Sequence, residues 1–95
     1  MSDIHYAKYI RYTLLPSGNV YKIESYCPLV NLQKYMKDTI QNNIAFIVES
    51  DPKILFLNEQ LFEKALQCTD SNNSTKEIIM TMKHIERGKG SIITY

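Results

Sequence analysis

The sequence predicts a small α+β domain, and three observations carry that expectation. Two segments near the N-terminus alternate apolar and polar side chains around the turn-forming run Pro16-Ser17-Gly18-Asn19. Three later segments repeat apolar residues at helical spacing. Short apolar runs, Ile44–Val48 and Ile54–Leu57, lie between them. The predicted order is β-β-α-β-(β)-α-α-β in a single domain spanning residues 1–95.

Residues 5–15, HYAKYIRYTLL, read as the first strand. Tyr6, Lys8, Ile10, Tyr12 and Leu14 form one alternate set; His5, Ala7, Tyr9, Arg11, Thr13 and Leu15 form the other. Val20–Tyr26 alternates again, which makes a β-hairpin. Cys27-Pro28 breaks that strand. Leu29, Leu32, Met36 and Ile40 then mark a predicted helix over Leu29–Gln41, with Asn42-Asn43 as its stop. Ile44–Glu49 reads as a short buried strand.

Asp51-Pro52 admits two readings. It is the turn of a second hairpin, or the N-cap and N1 pair of a helix running to Gln67. The hairpin is preferred, because Asn58 then caps a helix with Glu59 in its first turn. Leu61, Phe62, Ala65 and Leu66 would be its buried stripe. Thr69–Asn73 is polar and turn-like. Ser74-Thr75-Lys76-Glu77 fits a capping box, followed by Ile78, Ile79, Met82 and Ile85. Gly88 falls just past that helix, and Ser91–Tyr95 reads as a final strand.

The run Ile44–Leu66, with Asp51-Pro52-Lys53 before Ile54-Leu55-Phe56-Leu57-Asn58, resembles the start of PAS sensor domains. There, two strands flank a turn and an asparagine leads into the first helix. The likeness covers Ile44–Leu66 alone. The preceding hairpin and helix have no place in that family, and the 29 residues after Leu66 are too few for the rest of its fold. No ligand-binding residue follows from it.

The totals bound the function. Apolar residues make up 44% and charged residues 22%, as in ordinary folded domains. A chain of this length buries about 60–68% of its unfolded surface, so its core is marginal and dimerisation would extend it. The longest apolar run is far short of a membrane span, so no membrane is expected. The N-terminal run MSDIHYAKY lacks an apolar signal core, from which an intracellular location is expected. Nine lysines against two arginines, many Ile, Asn and Tyr and no Trp suit an AT-rich genome, viral ones included.

Chemistry-bearing motifs are sparse. Cys27 and Cys68 form no CxxC and no zinc-spaced pair with a histidine, and they read as small packed thiols. Neither a metal nor a cofactor is expected, and the protein is read as a non-enzyme. Arg87-Gly88-Lys89-Gly90-Ser91 lacks the spacing of a phosphate loop and follows a helix instead of opening one. Glu59 and Glu63 read as a solvated acidic face. His84 suits a helix C-terminus, and no local pattern joins it to a cysteine as a nucleophile pair.

Charge is uneven. Residues 1–37 carry five basic and two acidic side chains, residues 38–73 two and six, and residues 74–95 four and two. Two functions follow as expectations. The first is a homodimeric interaction protein, using the hairpin edge or the final strand. The second is nucleic-acid binding by Tyr6, Lys8, Tyr9, Arg11, Tyr12, Lys22 and Lys89, with tyrosines stacking on bases and cations on phosphates. A net charge of +1 weighs against strong non-specific binding.

Overall fold

A computed structural model describes residues 5–68 and 72–95. Its strands are β1 (Tyr6–Leu14), β2 (Val20–Pro28), β3 (Ala45–Val48), β4 (Lys53–Leu57) and β5 (Gly90–Thr94). The helices are α1 (Leu32–Thr39), α2 (Glu59–Gln67) and α3 (Asn73–His84). The α+β expectation and the element order hold. The strands form one sheet in the order β2-β1-β3-β4-β5. All neighbours are antiparallel except β4 and β5, which run parallel.

Side chains alternate across this sheet, so each face gathers its own core. On one face Ile10, Tyr12, Ala45, Ile47, Leu55 and Leu57 pack with Phe62 and Ala65 of α2 and Ile78 of α3. On the other, Tyr9, Cys27, Phe46, Val48 and Phe56 pack with Leu32 and Met36 of α1. Helices on both faces explain why all four residues of β3 are buried. The run Ile44–Val48 is continuous because the central strand has no solvent face.

Asp51-Pro52 lies in the turn between β3 and β4, which settles the two readings in favour of the hairpin. Asn58 caps α2 as expected, its Oδ1 accepting from the Leu61 amide at 3.2 Å. Two helices differ at their ends from the sequence reading. The first helix is shorter, with 3-10 turns at Leu29–Asn31 and Ile40–Asn42 on either side of α1. Leu29 is exposed and takes no part in the stripe. The side-chain Nδ2 groups of Asn43 and Asn58 donate to the Thr39 and Ile40 carbonyls at 2.6 and 2.8 Å, fixing where the helical chain stops. At α3, Ser74 is not the cap. Asn72 is: its Oδ1 accepts from the Thr75 amide at 3.0 Å and the Thr75 hydroxyl at 3.2 Å. Of the polar turn expected at Thr69–Asn73, residues 69–71 lie outside the described residues.

Gly88 sits at φ 87° and ends the helical chain beyond Ile85, where a side chain would be strained. Gly90 then enters β5 against Lys53, and a Cβ there would overlap the Lys53 carbonyl. A bare backbone at this point lets β5 dock in parallel on β4. β5 therefore lies at the edge opposite β2, so the basic end-blocks of the sequence do not meet through strand pairing.

Candidate functional site

The outer edge of β2 is the longer of the two open edges of the described sheet. β2 is nine residues long and pairs with β1 without interruption, from Leu14↔Val20 to Tyr6↔Pro28, so no bulge blunts it. Its other side pairs with no described strand.

Which of its backbone groups face outward follows from two hydrogen bonds. The Leu15 amide donates to the Asn19 carbonyl and the Leu29 amide to the His5 carbonyl, both at 2.8 Å. These are in register with the hairpin ladder, so its odd-numbered pairs exchange hydrogen bonds. The even-numbered backbone of β1 faces the other way, as the Glu49 amide donating to the Lys8 carbonyl at 2.9 Å shows. In β2, Tyr21, Ile23, Ser25 and Cys27 are thus satisfied by β1. Val20, Lys22, Glu24 and Tyr26 point their N–H and C=O groups away from the sheet.

Exposed aromatics accompany this edge. Tyr21 is 54% exposed and Tyr26 64%. Tyr6 lies diagonally across the ladder from Tyr26 and is exposed too, as are Leu29 and Val30 beyond the strand. Lys22 and Glu24 alternate along the strand on the face that carries α2 and α3. Lys22 pairs with Glu77 at 3.2 Å and Glu24 with Lys8 at 3.5 Å, both at the surface.

The residues selected from sequence for nucleic-acid contact do not form one surface. Tyr9 and Tyr12 are 2% and 1% exposed, and both are core residues. Tyr9 packs edge-on against Phe46, and its hydroxyl lies 3.0 Å from that of Tyr35. Tyr12 faces the opposite core, where its hydroxyl donates to Glu77 at 2.9 Å. A tyrosine on either face of a strand covered by helices cannot stack on a base. Arg11 lies half-buried on the α1 side, with its Nε unbonded among the described residues. Tyr6, Lys8 and Lys22 share the α2/α3 face, while Lys89 precedes β5 at the far edge.

Glu77, which the sequence placed in a capping box, instead ties α3 to the sheet through Tyr12 and Lys22. Beside it, an open hollow of about 400 Å³ is floored by Ile10 and Ile47 and rimmed by Glu49, Lys76 and Met80. Met80 and Thr81 divide it from a second hollow of about 330 Å³ with Lys53, Lys83, His84 and Arg87 around it. Neither holds a cysteine. Among the described residues no group of three His, Cys, Asp or Glu is placed to hold a metal. No described helix is long and apolar enough to cross a membrane.

Three protonated groups are held in that state by the fold. Burial, and then donation to Glu77, pushes the Tyr12 phenol well above its usual value. The hydrogen bond with Tyr9, and then burial, raises Tyr35. Burial raises the Cys27 thiol. A raised folded pKa supplies stability that is fully present below the unfolded value and is lost as pH climbs through the folded one. For Tyr12 that loss begins near pH ~10, the unfolded value of a phenol. Melting temperature should therefore fall from pH 9 to 11, and fall less steeply in Tyr12→Phe. Parallel slopes in a thermal scan would refute the role given to this phenol.

No family model, curated protein or solved structure matches the chain.

Proposed function

We propose that this chain is an interaction protein that works by self-association, adding the β2 edge of one copy to the β2 edge of another. The outward backbone of Val20, Lys22, Glu24 and Tyr26 carries this reading. A long, unbulged edge strand of this kind is a template for another strand, because each ladder bond satisfies a donor and an acceptor together. Tyr21 and Tyr26 supply amphipathic area beside it. A domain of this size gains core by pairing. Pairing one edge with itself also closes on two copies, whereas joining β2 to β5 would propagate without end.

The nucleic-acid reading has no comparable support, since two of its tyrosines lie in the core.

Amide hydrogen exchange along β2 tests the proposal. The Tyr21, Ile23, Ser25 and Cys27 amides should be protected at every protein concentration, because β1 accepts from them. The Lys22, Glu24 and Tyr26 amides should exchange fast in dilute protein and slow down as concentration rises. If these three stay as fast as the Ser17 and Asn19 amides of the turn up to millimolar protein, β2 is not an association edge.

A further inference from the structure

Resting on that reading, we infer that two copies join in one antiparallel register, centred on Ile23, in which Lys22 of each copy faces Glu24 of the other.

The backbone narrows the choice first. Ladder bonds across the seam require outward-facing residues on both strands. The outward donors are Val20, Lys22, Glu24 and Tyr26. The next outward position is Pro28, which has no N–H, and beyond it the chain turns away at Leu29–Asn31. The midpoint of the four donors is Ile23. A two-fold axis there sets Val20 opposite Tyr26 and Lys22 opposite Glu24, and every outward donor meets an outward acceptor.

The side chains select the same register independently. An axis through Lys22 places that lysine against its own copy, and one through Glu24 places two glutamates face to face. Directly opposed like charges are unfavourable across a strand pair, and opposed unlike charges favourable. Of the three central registers, only the one at Ile23 matches charge. The intrachain pairs of Lys22 and Glu24 are exposed and weakly held, and they need not break. Across the seam they extend into a row of alternating sign on one face: Glu77 and Lys22 of one copy, then Glu24 and Lys8 of the other. On the opposite face Ile23 meets Ile23, and Tyr21 meets Ser25. The product is one continuous ten-stranded sheet, with α1 and its copy on one side and α2 and α3 with theirs on the other.

Cysteine cross-linking reads this register. In the arrangement proposed, the two Ile23 residues form a non-hydrogen-bonded pair with Cα atoms about 4.5 Å apart, within disulfide range. In a Cys68→Ser background, Ile23→Cys should give a covalent dimer on mild oxidation, while Lys22→Cys and Glu24→Cys stay single chains. Charge reversal supplies the second arm. Lys22→Glu and Glu24→Lys should each weaken self-association about tenfold or more, and a mixture of the two variants should associate like the parent. Cross-linking through position 22 or 24 would overturn the register and leave the β2 edge standing, as would no cross-link at all in a chain whose Lys22, Glu24 and Tyr26 amides slow with concentration. Fast exchange of those amides at every concentration would remove both.

Discussion

Replacing Phe46 by alanine should cost about 3–5 kcal/mol, the usual loss when a fully buried aromatic leaves a cavity. Phe46 is completely buried at the centre of β3. Its ring meets Tyr9 edge-on with centroids 5.5 Å apart, and Phe56 lies opposite it on β4. α1 closes over this cluster with Leu32 and Met36, so little can relax into the space. Domains of this size have a total stability of roughly 5–14 kcal/mol. The variant should therefore melt at least 12 °C lower, taking about 4–8 °C per kcal/mol. Phe46→Leu, which keeps most of the volume, should lose less than half as much. Urea unfolding compares the two, and a loss below about 1 kcal/mol for Phe46→Ala would contradict the packing described.

Much of this fold is legible in the sequence because its signals are local. The turn Pro16–Asn19 and the alternation on either side of it define the hairpin. Asn58 announces α2, and it does cap that helix. The continuous run Ile44–Val48 records a strand covered on both faces, although no single residue says which helix covers which face. Parallel pairing of β5 with β4 is not legible, because it depends on a long connection and on Gly90 tolerating the Lys53 carbonyl. The cap of α3 is not legible either, again for a physical reason. Asn72 and Ser74 both precede the apolar stripe and both can cap, and only tertiary contact assigns Glu77 to Tyr12 instead of to its own helix end.

The candidate site was half legible. Tyrosines and cations interleave along the hairpin, but period-2 alternation alone does not tell which face is solvent when helices cover both. Tyr9 and Tyr12 fall on opposite faces, and both are buried. The residues to which the proposed association is assigned, Lys22, Ile23, Glu24 and Tyr26, lie in plain alternation in VYKIESY. Their signal is the Lys-x-Glu spacing within an unbroken strand. It acquires meaning only once β2 is known to be an edge and its even-numbered amides are known to face outward.

Glu24→Pro isolates that edge. Proline removes the outward Glu24 N–H, and its ring obstructs an approaching strand. The hairpin keeps its own ladder, because β1 bonds to Ile23 and Ser25 and not to Glu24. Ile23, the residue before the proline, is already extended, as that position requires. The change also removes the exposed ion pair with Lys8, worth at most about 1 kcal/mol. Far-UV circular dichroism should be unchanged, whereas Ser25→Pro, which deletes an inward amide, should unfold the hairpin. Light scattering of the parent and Glu24→Pro at equal concentration then tests self-association through β2. Self-association through β2 requires twice the 11.1 kDa chain mass for the parent and the single-chain mass for Glu24→Pro. A parent at single-chain mass in millimolar protein, or a Glu24→Pro variant still at the doubled mass, would contradict it.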